Sequence, residues 1–325
     1  MKKIITTFFF PIYFTFFNVG LYGAPIDWLK KTGLSNLKSN IHRVFADTGI
    51  VLVKIANDTP KLISNQFQFT EGPASDAKGN IYFTDQPNNC IWEYDTNGKL
   101  TIFMNHAGRS NGMYFDTKGN LITCADEKNQ LWSISPKKNV IIILGNFKGG
   151  IFNGPNDVWV NPVNNGIYFT DPYYKRGYWK SDHPHMRAQR VYYLAGNKKK
   201  PVIVEEALQK PNGLIGSPDG KILYIADIES NKTYKYAINR YGSLSNKQLF
   251  VNQGSDGMTI DNDGNIYLTG TGVTVYNKEG KLIQQIPVPE PWTANVCIGG
   301  KNHDTLFITA SKSFYKLPLH SKKVD

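Results

Sequence analysis

Cysteine is scarce. Only Cys90, Cys124 and Cys297 occur among 325 residues, with no CxxC and no short paired spacing. That argues against a zinc cage and against a disulfide-built scaffold, although one bridge stays open for an exported chain. Charge is also thin at 19%, too little for a disordered chain when 41% of residues are hydrophobic and 13% aromatic. Sustained helical periodicity is missing, and after residue 22 no run approaches the ~20 apolar residues of a membrane span. Acidic residues are outnumbered, 26 against 37 basic, for a formal charge of +11. The cations are nearly all Lys and lie singly; the densest run, Lys198-Lys199-Lys200 beside Asn197 and Pro201, reads as a loop. Without a basic stripe interleaved with stacking aromatics, the charge is a solvated surface and no nucleic-acid partner is expected.

What is present begins at the amino terminus. Lys2 and Lys3 precede an apolar, Phe-rich run over residues 4–22, broken by Pro11 and ending in Gly23-Ala24 before the first acid, Asp27. This is the order of a secretory signal peptide cut before Ala24, with an uncleaved anchor as the rival because about 19 such residues just span a bilayer. The expectation is a removed signal at 1–23, an extension at 24–46, export to the periplasm or the medium, and no lasting membrane insertion.

A turn followed by a strand then recurs. Asp76-Ala77-Lys78-Gly79-Asn80-Ile81-Tyr82-Phe83-Thr84-Asp85 has counterparts beginning at Asp116, Asn164, Pro218 and Asp261, with a weaker sixth at Asn302. The copies lie about 40 to 55 residues apart, the period of a four-stranded propeller blade and too long for leucine-rich or hexapeptide solenoids. The predicted fold is all-β: a six-bladed β-propeller over 47–320, with four-stranded antiparallel blades around a central metal-binding channel. Residues 50–55 are expected to close the ring beside 313–317, and 321–325 form a polar tail.

One polar residue stands shortly before each turn, where the innermost strand of a blade begins: Glu71, Asn111, Asn156, Asn212, Asp256 and Asn295. Radial repetition brings equivalent positions to one ring around the axis. Asn-Gly and Asp-Gly pairs commonly open strands at turns, which accounts for each copy singly but not for two acids among amides at one ring position. A hard oxygen site without His or thiolate favours Ca²⁺, then Mg²⁺ or Mn²⁺, over zinc or copper.

These strings resemble a known family. Thr70-Glu71-Gly72-Pro73, Gly108-Arg109-Ser110-Asn111-Gly112, Asn153-Gly154-Pro155-Asn156-Asp157-Val158, Lys210-Pro211-Asn212-Gly213-Leu214 and Ser255-Asp256-Gly257-Met258 are similar to motifs of the gluconolactonase, regucalcin and luciferin-regenerating-enzyme family, and 286–290 and 306–310 to its bacterial gluconolactonase branch. The resemblance runs from about residue 69 to 317, through all six blades. It implies a divalent cation, foremost Ca²⁺ with Mg²⁺, Mn²⁺ or Zn²⁺ as alternatives, held by Glu71, Asn156, Asn212 and Asp256, with Asp256 as the hydrolytic base. Regucalcin-type members carry an Arg two residues before the third-blade Asn, where this chain has Gly154. Arg109 and Asn111 are put forward as substrate contacts instead, with Tyr173 among the aromatics that wall the pocket.

Other motifs carry less. Gly108 to Gly112 spells a G-x-S-x-G elbow but leaves no room for the helix that an elbow needs. His183-Pro184-His185 lacks a third ligand nearby and reads as an exposed loop on the pocket face. Asp261-Asn262-Asp263-Gly264-Asn265 lacks the closing Glu of a calcium loop and reads as a hairpin turn. The leading expectation is a metal-dependent lactonase that opens a glucono-1,5-lactone-like substrate to its acid. The alternatives are a propeller hydrolase of aryl esters or phosphotriesters, and a non-catalytic propeller that binds carbohydrate or protein.

Overall fold

The computed structural model describes residues 59–319 apart from 197. Within them the chain forms six four-stranded antiparallel sheets. Blade 1 contains β2 (Thr70–Ser75), β3 (Ile81–Asp85), β4 (Cys90–Tyr94) and β5 (Leu100–Asn105), and blade 2 contains β6 (Ser110–Phe115), β7 (Leu121–Ala125), β8 (Gln130–Ile134) and β9 (Val140–Leu144). Blades 3 and 4 run β10 (Val158–Val160), β11 (Ile167–Asp171), β12 (Arg190–Leu194), β13 (Val202–Glu205) and β14 (Pro211–Gly216), β15 (Ile222–Asp227), β16 (Lys232–Ile238), β17 (Leu244–Val251). Blade 5 is β18 (Met258–Ile260), β19 (Ile266–Gly270), β20 (Gly272–Tyr276) and β21 (Leu282–Ile286). The innermost strands β2, β6, β10, β14, β18 and β22 (Thr293–Gly299) pack in that order, and β22 returns to β2. The fold is therefore the six-bladed β-propeller that the repeat predicts. The one helical element among the described residues is a short 3-10 turn at Asp126–Lys128.

Blade 6 joins the two ends of the ring. It combines β22, β23 (Thr305–Ala310) and β24 (Ser313–Pro318) with β1 (Lys61–Ser64), which pairs antiparallel with β24. The closing strand is thus Lys61–Ser64. Residues 50–55, expected in that place, lie outside the described residues, as do the boundaries at 23 and 46 and the tail at 321–325. The physical reason is plain: β1 is a short outermost strand, half of it exposed, so little hydrophobic pattern marks it.

The repeated turn explains the regularity. Asp76 Oδ1 accepts the backbone N–H groups of Lys78 at 2.8 Å and Asn80 at 2.9 Å. Asp116 repeats both contacts, and Asp261 does so with Asp263 and Asn265, which makes the latter string a hairpin turn. Gly79 takes φ +87°, and a Cβ there would lie 2.0 Å from the Gly300 carbonyl oxygen.

The core lies between the faces of neighbouring blades. Trp159 and Tyr168 of blade 3 pack with Leu214 and Tyr224 of blade 4 and Met258 and Ile266 of blade 5. At the seam between blades 1 and 6, Phe83 stacks on Phe314 at 4.2 Å, both fully buried. Each such side chain contributes roughly 1.5–3 kcal/mol relative to exposure.

Candidate active site on the propeller axis

All six polar residues fall at one end of the innermost strands. Glu71, Asn111 and Asn212 are the second residues of β2, β6 and β14, Asn295 is the third of β22, and Asn156 and Asp256 lie two residues before β10 and β18. Five are buried and Asp256 is partly exposed. The glycines that follow them make the ring possible. A Cβ on Gly72 would lie 2.1 Å from the Asn111 carbonyl oxygen, and one on Gly257 would lie 1.9 Å from Cγ of Asn295. Each glycine thus admits the axial residue of the next blade. Blade 3 carries Asp157 instead, whose carboxylate accepts N–H from Val158 at 3.0 Å and from Leu214 of blade 4 at 3.3 Å.

Three carboxyl groups, Glu71, Asp157 and Asp256, therefore lie near enough to feel one another's charge. Burial raises Glu71 well above the usual carboxylate range, and Asp256 and Asp157 raise it further against the Gly72 N–H. Burial also pushes Asp157 up to about 7. Asp256 is raised by burial, opposed by hydrogen bonds from Trp292 and Asn212 and by the Arg176 charge. Such groups cannot all ionise cheaply in an enclosed site without a cation.

The amides supply a second sign. Asn212 donates to the Tyr174 hydroxyl at 2.7 Å and to Asp256 Oδ1 at 2.8 Å, and its own Oδ1 is buried with no hydrogen-bond partner. An orphaned amide oxygen beside carboxylates is the donor set of a hard cation. Among the described residues no three His, Cys, Asp or Glu side chains come together as a metal cage. The Glu71, Asn156, Asn212 and Asp256 set contains only two acids, and its fit to a cation rests on the orphaned oxygen and the uncompensated carboxylates.

The remaining expected residues occupy different places. The Asn111 side chain makes no hydrogen bond among the described residues and stays free toward the axis. Arg109 is turned to the blade 1 connection: Nη1 donates to the Pro87 carbonyl at 2.5 Å, Nε lies 3.7 Å from Glu127, and the guanidinium stacks on Tyr178 at 4.8 Å. Tyr173 packs near Trp179 with its hydroxyl buried and unpartnered. Ser110 of the G-x-S-x-G string is buried, donates to the Ala107 carbonyl at 2.6 Å and is followed by strand, so it is no elbow. His183 and His185 are exposed.

Sequence reasoning missed three residues. Trp292, just before β22, donates from Nε1 to Asp256 Oδ2 at 2.6 Å. Arg176, on the connection between β11 and β12, pairs with the buried Asp126 at 2.8 Å. Trp292 and Arg176 lie outside the repeat, and Asp126 ends its second copy without a role assigned to it; the available signal for Arg176 was its rarity, as one of six Arg in a Lys-rich chain.

Fold and site together define a six-bladed propeller with an oxygen-rich axial centre. The SMP-30/Gluconolactonase/LRE-like region model matches residues 69–312, and the chain belongs to that family. Gluconolactonase of Zymomonas mobilis is 28% identical over 79% of this chain and 80% of its own length. A gluconolactonase structure from Xanthomonas campestris superposes with a TM-score of 0.74 at 24% identity, over 81% of this chain and 95% of that one. Regucalcin of Agrobacterium tumefaciens, described as a calcium-binding protein, gives 0.67 at 18% identity, over 81% of this chain and 94% of that one.

Proposed function

We propose that this chain is a metal-dependent lactone hydrolase that opens a sugar lactone of the glucono-1,5-lactone type to the aldonic acid. Lactonase activity, a carboxylic ester hydrolysis, follows from the family and its named relatives. The observation that carries the metal and the site is the unpartnered Asn212 Oδ1 between Tyr174 and Asp256.

Glu71, Asn156, Asn212 and Asp256 would hold the divalent cation, foremost Ca²⁺, which supplies a Lewis acid for the lactone carbonyl when bound. Asp256 is oriented from two sides by Asn212 and Trp292. It accepts a proton from water as the water oxygen bonds to the carbonyl carbon. The ring C–O bond then breaks, and that proton passes to the departing ring oxygen, which leaves as a hydroxyl of the acid. The free Asn111 amide is placed to bind a sugar hydroxyl.

The test is a panel of lactones, aryl esters and phosphotriesters turned over by purified protein with Ca²⁺ or with chelator. Chelator-sensitive opening of sugar lactones supports the reading. Turnover only of aryl esters or phosphotriesters, or sugar affinity without turnover, defeats it.

A further inference from the structure

Blade 2 keeps the register of blade 1 but differs in where its acid falls. In blades 1, 3 and 4 the second strand ends on Asp85, Asp171 or Asp227, whose carboxylate clamps two backbone N–H groups of the segment entering the innermost strand. Asp85 takes Gln68 at 3.2 Å and Phe69 at 3.3 Å, Asp171 takes Asn153 at 3.1 Å and Gly154 at 2.8 Å, and Asp227 takes Gln209 and Lys210 at 2.9 Å each. Asp85 pairs with Thr70 and Asp227 with Pro211, but Ser110 at the corresponding point of blade 2 pairs with Ala125. The blade 2 acid, Asp126, comes one residue later and its carboxylate clamps no such segment.

Asp126 instead anchors the connection between β11 and β12. Its carboxylate accepts Arg176 Nε at 2.8 Å, Gln86 Nε2 at 3.2 Å and the Tyr178 hydroxyl, and its carbonyl accepts Trp179 Nε1 at 3.0 Å. Gly154 makes the space: a Cβ there would lie 2.7 Å from the Trp179 ring and 2.8 Å from Asp126 Oδ1. Three side chains of one connection thus converge on one buried acid of another blade.

The result is a guanidinium held in place. Burial works against the Arg176 charge, but Asp126 and Tyr178 hold its pKa above the usual value, and its field reaches Glu71 and Asp256. Its face lies 5.5 Å from the ring of Tyr174, whose hydroxyl meets Asn212. Only Nε is spent on Asp126; among the described residues the terminal nitrogens have no hydrogen-bond partner. The side chain is 23% exposed.

We propose that Arg176 is the substrate-anion contact: its terminal nitrogens bind the oxygens of the carboxylate that ring opening creates, and Asp126 is its positioning residue. A neutral lactone offers single acceptors. The tetrahedral oxyanion and the carboxylate product carry charge that a planar fork matches, so the contact strengthens along the reaction. Arg109, committed to backbone carbonyls and to Tyr178, braces this arrangement from behind.

The proposal rests on the lactonase reading, and the experiment separates the two. Full-length, Ca²⁺-loaded wild type, Arg176→Met and Asp126→Asn are titrated calorimetrically with gluconate, and KM, kcat and gluconate inhibition are measured with gluconolactone. Arg176→Met should weaken gluconate binding at least about tenfold and lower kcat/KM, with KM for the neutral lactone changing less. Asp126→Asn should do the same more weakly, while Arg176→Lys recovers part of the loss. Should Arg176→Met fail to fold, Arg176→Gln, which keeps a donor for Asp126, decides by the same criterion. Wild-type gluconate affinity in a folded Arg176 variant overturns the proposal, as does wild type that opens lactones without binding gluconate. Loss of gluconate binding in the variant alongside a wild type without turnover would uphold the anion contact and defeat the lactonase reading.

Discussion

Asn212 and Asp256 are joined by a 2.8 Å hydrogen bond that leaves the amide oxygen of the first without a partner. The bond fixes which atom of Asn212 faces the axis, because both hydrogens are engaged by Asp256 and Tyr174. Asn212→Ala removes a ligand and frees the Asp256 carboxylate at once. Calcium affinity, measured by titration calorimetry, should fall by about 10- to 100-fold; an unchanged affinity would remove Asn212 from the site.

Asp256→Asn separates ligand from base. It keeps a carbonyl oxygen but loses a charge and a proton acceptor, so saturating Ca²⁺ should restore occupancy while lactone turnover stays down by about 10²–10⁴-fold. Near-normal turnover in the metal-loaded variant would show that Asp256 serves only as a ligand.

Burial pushes Asp171 up to about 7 despite the two N–H groups it accepts. The folded protein therefore holds a proton that the unfolded chain, with an Asp near 3.9, releases earlier. The stability contribution is present in full below about pH 4 and is lost as pH rises through about 7. Tm should be higher at about pH 5.5 than at about pH 8, and Asp171→Asn should shrink that difference. The carboxylates of Asp227 and Glu205, lowered by their hydrogen bonds against burial, act in the opposite sense, so stability should turn down again below about pH 4. An identical pH dependence in Asp171→Asn would exclude it as the source.

The propeller was legible because its turn chemistry is local. Asp76, Asp116 and Asp261 build the same turn from five residues, and the buried second strands that follow read as apolar runs of one length. Axial residues were legible for the same reason, since each precedes a turn by nearly the same offset. Arg176 and Trp292 were not, because the connections that carry them do not repeat; the later place of Asp126 in its copy could be read in the sequence, but the side chains that it gathers could not. Gly154 was visible as a departure, but the Trp179 ring that fills its space was not.

At the ring seam, Phe314→Ala should cost about 3–5 kcal/mol, since it empties a fully buried site stacked on Phe83. Ile141→Ala, on an outermost strand and 67% exposed, should change stability by less than about 0.5 kcal/mol. Urea unfolding of the two variants gives the comparison; equal losses would mean that the seam is not where the ring is held.

Export is tested by mass spectrometry of the mature protein from its natural host. From Lys2, Lys3 and the apolar residues 4–22, the amino terminus should lie at or near Ala24. An intact Met1 on a soluble cytoplasmic product would reject it.

The pairing of β1 with β24 makes the ring a bracelet with a single clasp. During synthesis blades 1 to 5 can assemble in the order they are made, but the clasp stays open until the last strand emerges, whatever the stability of the blades already formed. The arrival of β24 beside residues 61–64 therefore decides when the circle is complete. Moving the chain ends to another exposed connection between blades, with the present ends linked, would transfer that late step to a different seam and leave the axial ring unchanged.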